Sequence, residues 1–271
     1  EVGSMNVFFI IDGKVVTRLG DSAFSLNHDS MSVEIIIVGP HLGPARVTIP
    51  DSVTCIGNSV FEGLVGLVSV TIPNSVTNMG NSVFSGCSLL ASVSIPTNIT
   101  SLGTATFAGC SSLTQIAIPE SVAEIKDSAF ARCSGLTQIA IPGRVTEIKD
   151  STFKGCSGLI DVAISSNITS IGDDAFSGCS GLTRLILPGK TTTLGASAFY
   201  GCAGLTNIVT IPAGVTKIGI AAFACCSNLL ELCVETSNIC YRSTNGVLYD
   251  KDQSMLLQCP GGKRGELAIP N

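Results

Sequence analysis

Charged residues are scarce in this chain, and that scarcity excludes two classes of partner. Lys, Arg, Asp and Glu make up 13% of the 271 residues, and the formal net charge is −5. A nucleic-acid-binding domain needs a basic face, and a protein that adheres to anionic lipid needs a polybasic patch. Neither pattern occurs, so we expect no nucleic-acid partner and no electrostatic attachment to a membrane.

Long apolar runs are also missing. None approaches the roughly 18–20 residues that a membrane-spanning helix needs, and the apolar stretch at residues 7–11 is far shorter. The chain begins at Glu1 without an initiator methionine, as a trimmed sequence does. The lack of a signal peptide therefore carries no argument about secretion.

Residues suited to catalysis are few. The two histidines, His28 and His41, both lie in an irregular N-terminal stretch, so no histidine is available within the rest of the chain to activate a Ser or Cys nucleophile. Asp173 and Asp174 share one turn and fit a solvated loop better than an acid/base pair. Glycine-rich phosphate-binding motifs are absent from any strand-to-helix context. We predict that the chain is not an enzyme and holds no cofactor and no metal.

Repetition is what the sequence has in abundance. The unit is close to I-P-x-x-V-T-x-I-G-x-S-A-F-x-G-C-S-x-L-T-x-I-x, and eight copies are clear. Its phenylalanine recurs every 23 residues, with one step of 24 at the end, at Phe61, Phe84, Phe107, Phe130, Phe153, Phe176, Phe199 and Phe223. Cysteine follows three residues later in all copies but the first, at Cys87, Cys110, Cys133, Cys156, Cys179, Cys202 and Cys226.

A unit of this length cannot bury both of its apolar edges alone, so neighbouring copies must stack. The L-x-x-I-x-I-P segment alternates like a strand with one buried face, and proline ends it. V-T-x-I predicts a second extended piece, and S-A-F-x-G-C predicts a turn or a single helical turn that directs the phenylalanine inward. The fold class is therefore a repeat solenoid of short parallel β-strands with 23-residue repeats.

Three regions follow from the pattern. Residues 50–232 are the array of eight repeats, and residues 1–49 are a degenerate N-terminal repeat or cap. In that cap, residues 15–24 fit the template, with a 14-residue insertion somewhere in 25–49. Residues 233–271 are an irregular repeat with a hairpin at Asn245-Gly246, and the closing "LAIPN" is like the opening of another copy, so we expect the natural chain to continue.

The unit resembles the repeat of the BspA-like or Treponema pallidum-type leucine-rich repeat family. The resemblance lies in the I-P that ends the strand, where leucine-rich repeats usually carry asparagine, and in the V-T-x-I-G-x-x-A-F-x-G-C-x-x-L that follows. The resemblance is close over residues 47–232 and looser over the N-terminal copy and "NGVLYDKDQSMLLQCPGGK". It implies a right-handed superhelix of the α/β class. It also implies a surface or secreted protein, since several members are adhesins for host or microbial proteins.

Twelve cysteines leave two interpretations open. The column of seven would stack about one strand spacing apart, close enough for bridges, yet bridging alternate pairs would make the copies unequal, and buried cysteine also behaves as a small hydrophobe. A ladder of buried thiols is the favoured interpretation. Off the column, Cys233, Cys240 and Cys259 are the better disulfide candidates.

The outward positions of the first strand are the candidate binding site. If Ile116 and Ile118 point inward, Gln115 and Ala117 point outward. We predict a partner-binding concave face built from the same two positions in four consecutive copies: Gln115, Ala117, Gln138, Ala140, Asp161, Ala163, Arg184 and Ile186. The next outward pair is predicted at Asn207 and Val209. An exposed apolar stripe favours docking of a partner, although small residues there could also serve only to let the sheet curve.

Two functions are compatible with these patterns. The first is a non-catalytic solenoid that is displayed on the cell surface or secreted, in which the concave sheet binds extracellular-matrix, plasma or microbial proteins. The alternative is a structural or periplasmic scaffold that self-associates through the same face into a homo-oligomer.

Overall fold

A computed structural model describes residues 45–206 and 208–264, together with the backbone of four short strands nearer the N-terminus. In chain order the strands are β1 (Ser4–Met5), β2 (Ile10–Ile11), β3 (Lys14–Val15), β4 (Arg18–Leu19), β5 (Ala45–Thr48), β6 (Cys55–Ile56), β7 (Leu67–Thr71), β8 (Asn78–Met79), β9 (Ser92–Ser94), β10 (Ser101–Leu102), β11 (Glu124–Ile125), β12 (Gln138–Ala140), β13 (Glu147–Ile148), β14 (Asp161–Ala163), β15 (Ser170–Ile171), β16 (Thr193–Leu194), β17 (Ile208–Ile211), β18 (Lys217–Ile218), β19 (Glu231–Val234), β20 (Tyr241–Thr244), β21 (Val247–Asp250) and β22 (Leu256–Gln258).

Each copy of the unit forms one turn of a β-solenoid, as the period predicts. The front of the solenoid consists of β1 and of the strands at the L-x-x-I-x-I-P position of each copy, in the parallel groups β1-β5-β7-β9, β12-β14 and β17-β19. Ser165 and Glu235 replace the proline after β14 and β19. The V-T-x-I segments form the back, in the parallel groups β4-β6-β8, β10-β11 and β13-β15-β16-β18. Partners in successive front strands lie 23 residues apart, as in Val70 with Val93. The stacked parallel architecture is therefore confirmed.

A stack of phenylalanine rings fills the centre of the solenoid. The eight repeat phenylalanines are 0–1% exposed, and consecutive ring centroids lie 5.2–5.5 Å apart with interplanar angles of 3–16°. Stacked aromatic pairs favour centroid separations in this range. The backbone reinforces the stack, since the N–H of Phe130 donates to the carbonyl of Thr152 in the next copy at 2.9 Å.

The S-A-F-x-G-C segment is a turn, and no helix occurs in any of the residues described. Two left-handed residues bracket the phenylalanine in each of the eight copies, such as Ser82 at φ 55° and Gly86 at φ 75°. A right-handed helix cannot continue through a left-handed residue, so the helical alternative does not form. Arg132 and Cys225 adopt φ 60° at the position that the other copies give to glycine.

The seven column cysteines are fully buried thiols. Each Sγ donates to the carbonyl of a phenylalanine in the preceding copy at 3.0–3.2 Å, as Cys133 does to Phe107. Burial raises the pKa of Cys87 and Cys156 from 9.0 to about 12. Each thiol is therefore protonated and hydrogen-bonded, as the favoured interpretation predicts.

The disulfide prediction for the tail is wrong in this structure. Cys233, Cys240 and Cys259 are free, half-buried thiols. Hydrogen bonds fasten the tail to the array instead. The buried side chain of Asn238 donates to the carbonyls of Pro212 and Val215, at 2.9 Å each, and accepts from two backbone N–H groups of the tail at 2.8 Å.

The two ends of the solenoid differ. At the N-terminus, β4 pairs in parallel with β6, with Leu19 opposite Ile56. This is the register expected of the predicted N-terminal copy. The predicted insertion lies largely outside the described residues. At the C-terminus, β20, β21 and β22 form an antiparallel meander. Its first turn is Asn245-Gly246, with φ of 50° and 73°, so the predicted hairpin is confirmed. No helix long and apolar enough to cross a bilayer occurs among the described residues.

Candidate functional site

The eight residues predicted for the binding face are all exposed. The residues between them point inward, as Ile116 and Ile139 are 8% and 4% exposed. Register brings equivalent positions side by side: Gln115 bridges Gln138, and Gln138 pairs with Asp161. The predicted inward-and-outward alternation is confirmed, because successive side chains of a strand point to opposite faces.

The outward side chains form two columns along the front of the solenoid. We name the first the polar column (Gln115, Gln138, Asp161, Arg184) and the second the apolar column (Ala117, Ala140, Ala163, Ile186). Ile186 is 62% exposed, so its methyl groups are available to a partner. The apolar column begins after Ser94, which holds the same position in the preceding copy.

The prediction for the next outward pair is wrong at Val209, which is fully buried. The chain absorbs its one-residue insertion before the strand, and Val209 pairs with Leu232. Ile208 and Thr210 therefore take the outward positions, and both are exposed. The other member of that predicted pair, Asn207, lies outside the described residues. A one-residue shift of register exchanges the two faces of a strand, which is why the apolar column ends at Ile186.

Two depressions follow the columns. The larger, about 640 Å³, is lined by residues of both columns from Gln115 to Ala163, by Ser92, and by the inward residues Val93, Ile116 and Ile139. The smaller, about 280 Å³, runs from Asp161 to Pro188 past Arg184 and Ile186. Asp161 and Ala163 line both, so the depressions adjoin. We name their union the front trough.

The front trough contains two opposite charges that are not paired within the described residues. Asp161 and Arg184 are both exposed and belong to consecutive copies. The ion pairs of the described residues lie elsewhere, between Lys149 and Glu147 and between Lys154 and Asp174. Both charged groups of the trough are thus available to a partner.

Sequence reasoning missed three exposed apolar residues beside the columns. Ile208 is 48% exposed at the polar-column position, and Ile160 and Leu230 are 51% and 50% exposed just before their front strands. The last two replace the threonine of the L-T-x-I template. That departure from the template was the signal that could have identified them.

No constellation suited to metal binding occurs among the residues that the structure describes, since no three His, Cys, Asp or Glu side chains converge. His28 and His41 lie outside those residues. Asp173 and Asp174 act locally: Asp173 accepts from the N–H of Ala196 at 2.7 Å, and Asp174 pairs with Lys154.

Comparison with known proteins agrees with the repeat geometry. The family model for the BspA type leucine rich repeat region matches residues 45–160 and 148–245, in six copies. The structure is similar to a leucine rich cell surface protein from Faecalibacterium prausnitzii A2-165, with 32% identity, a TM-score of 0.61 and 83% of this chain covered. This chain spans 57% of that protein's length.

A second similar structure is the leucine-rich repeat protein of T. pallidum. Its identity is 26% and its TM-score is 0.54, over 67% of this chain and 78% of that one. No curated protein sequence matches the chain.

Proposed function

Because the chain belongs to the BspA-type leucine-rich repeat family, we propose that it is a non-catalytic solenoid that binds a protein partner through the front trough. The observation that carries the proposal is the trough itself, where polar and apolar side chains stand in two exposed columns over consecutive copies. Solenoids commonly bind along an extended face that their stacked repeats create. Exposed contiguous apolar surface favours a protein partner.

We further propose that the chain is displayed on the cell surface or secreted, as an adhesin for host or microbial extracellular proteins. The support is its similarity to a protein named as a cell surface protein in F. prausnitzii. Because the trough contains few charges, its affinity should rest on apolar contact and hydrogen bonds and depend only weakly on salt.

Self-association through the same face, in a structural or periplasmic scaffold, is the second candidate. The exposed side chains of Ile186 and Ile208 favour it, because apolar surface of this kind is typical of homo-oligomer interfaces. Under this function the molar mass rises with protein concentration, and a charge placed in the apolar column abolishes the rise.

The test is a binding titration against immobilised extracellular-matrix and plasma proteins. We compare the unmodified chain with an Ala140→Glu, Ala163→Glu double variant. Its two added carboxylates lie in the trough, where a bound partner would bury them. The matched control is an Ala123→Glu, Thr146→Glu double variant, since both residues are exposed on the back and lie one copy apart. Circular dichroism verifies that all three fold.

Saturable binding that is lost in the trough variant and kept in the back variant supports the adhesin. Equal binding by both variants contradicts a site in the trough. If no protein binds while molar mass depends on concentration and falls to that of a monomer in the trough variant, the scaffold function replaces the adhesin.

A further inference from the structure

The shape of the front trough restricts what can occupy it. The inward residues Ile116 and Ile139 line its floor, since they lie between the two columns along each strand. The columns are two residues apart along each strand, a separation of about 6.6–7 Å. An α-helix, roughly 10–12 Å across, would rest on both columns and leave the floor uncovered. A single extended chain can reach the floor.

The length of the trough is also informative. The two columns cross four consecutive copies from Gln115 to Arg184, and the lining residues extend the trough by one copy to Ser92. Four steps at about 4.8 Å each give roughly 19 Å, which an extended chain covers with about six residues at ~3.3 Å per residue.

The two walls differ in chemistry. Gln115 and Gln138 present carboxamides, which both donate and accept hydrogen bonds and so suit polar side chains of many kinds. Opposite them, Ala117 and Ala140 leave room for apolar side chains. Successive side chains of an extended chain point to opposite sides, so one edge of the ligand faces the polar wall and the other faces the apolar wall.

Asp161 and Arg184 determine the charge of the ligand. They are neighbours on the polar wall, both exposed, and neither forms an ion pair among the described residues. At the usual strand spacing of about 4.8 Å their backbones would be closer together than the side chains on one edge of an extended peptide, which repeat every 6.6–7 Å. Long side chains bridge this difference, so a basic and an acidic residue two positions apart on the ligand can meet Asp161 and Arg184 together.

We propose that the front trough binds an extended polypeptide segment of about six residues that carries one basic and one acidic residue two positions apart on the edge facing Asp161 and Arg184. The inference rests on the proposed function, because it specifies the partner of the same site. The charged end of the trough supplies sequence selectivity. The carboxamides of Gln115 and Gln138 accept and donate hydrogen bonds and so tolerate many polar side chains on the same edge.

The test uses fluorescein-labelled hexapeptide pools and fluorescence anisotropy with the complete 271-residue chain. All pools alternate alanine or valine on one edge with polar residues on the other. The mixed pool carries one lysine and one glutamate two positions apart, in both orders, since the ligand can run in either direction. Two further pools carry two lysines or two glutamates at the same positions. We expect the mixed pool to bind about fivefold more tightly than either, the size expected for one exposed ion pair.

Charge reversal then switches the preference in a way that misfolding cannot imitate. Arg184→Glu should prefer the two-lysine pool, and Asp161→Lys should prefer the two-glutamate pool, each by about fivefold. Arg144→Glu is the matched control, because Arg144 is exposed and does not line the trough. This variant should keep the preference for the mixed pool.

The outcomes separate this inference from the proposed function. Equal binding of the three pools, or unchanged preference in Arg184→Glu and Asp161→Lys, overturns the extended-segment inference. If no pool binds while immobilised proteins bind the chain and not its Ala140→Glu, Ala163→Glu variant, the inference is wrong and the proposed function stands. If neither peptides nor proteins bind, both are wrong.

Discussion

The buried cysteine column makes the stability of the solenoid depend on alkaline pH. Cys133 is fully buried, and its Sγ donates to the carbonyl of Phe107 at 3.1 Å. Burial raises the pKa of this thiol well above 9.0. In the unfolded chain the same thiol ionises near 9.0, so above that pH the folded state holds a proton that the unfolded state has lost. Stability therefore falls as the pH rises from about 9 towards the folded-state pKa.

The magnitude is bounded by the unfolded-state pKa. Because the unfolded thiol ionises near 9.0 and the folded pKa is raised well above that, one thiol destabilises the fold by up to about 1.4 kcal/mol at pH 10 and by almost nothing at pH 8. Cys→Ala removes this term together with the thiol. The variant also loses a hydrogen bond and some packing, but that loss is the same at both pH values and cancels in the difference.

The assay is urea unfolding followed by circular dichroism at pH 8 and pH 10, on the unmodified chain and on Cys133→Ala. We expect the free energy of unfolding to fall between the two pH values by about 1.4 kcal/mol more in the unmodified chain. Val122→Ala is the control, because Val122 is fully buried but carries no titratable group, so its substitution should leave the difference unchanged. Equal pH effects in Cys133→Ala and the unmodified chain would refute the reasoning, and they are the result expected if neighbouring cysteines were bridged.

Three further predictions test the packing, and urea unfolding measures the first two. Val209→Asp should unfold the last repeats because it buries a charge, whereas Ile208→Asp should change the free energy of unfolding by less than about 0.5 kcal/mol; similar effects would contradict the register. Phe153→Ala should cost about 3–5 kcal/mol, because it opens a cavity within the ring stack, and a cost near that of a surface substitution would argue against the stack. Asn238→Asp removes the two donors to Pro212 and Val215 and should accelerate amide exchange in residues 238–258 while the central repeats stay protected. Uniform exchange along the chain would show that Asn238 does not fasten the tail.

The period of the sequence was sufficient to predict the solenoid. Strand, proline and second extended segment recur in one order, and a 23-residue unit has no way to bury its apolar edges except against a copy of itself. The turn could not be resolved in advance. Whether S-A-F-x-G-C forms a turn or a helical turn depends on the left-handed conformation of residues such as Ser82 and Ser151, and serine shows no preference strong enough to reveal it.

The candidate site was predictable only where the repeats are regular. From Gln115 to Ile186 the spacing is constant, so alternation alone assigns the outward side chains. Beyond Leu205 one extra residue enters, and both Ile208 and Val209 are apolar enough to be buried. The pairing of Val209 with Leu232 determines that Val209 is the buried residue. This pairing joins two copies, so it cannot be inferred from the local sequence pattern.

Under the proposed binding function, the contrast between the inside and the outside of the solenoid identifies the residues that would select among partners. Inward positions repeat almost without change, because each ring, thiol and leucine must stack on the same group in the next copy. Outward positions change along the polar column from Gln115 to Asp161, Arg184 and Ile208. Since stacking stabilises every copy equally, these differences have little influence on folding and distinguish one stretch of the face from another. The chemical type of the outward side chain changes most from Asp161 to Ile208, where charged residues are replaced by an apolar one within three copies. Substitutions there should alter which partner binds, and substitutions at Gln115 or Gln138 should weaken all partners alike.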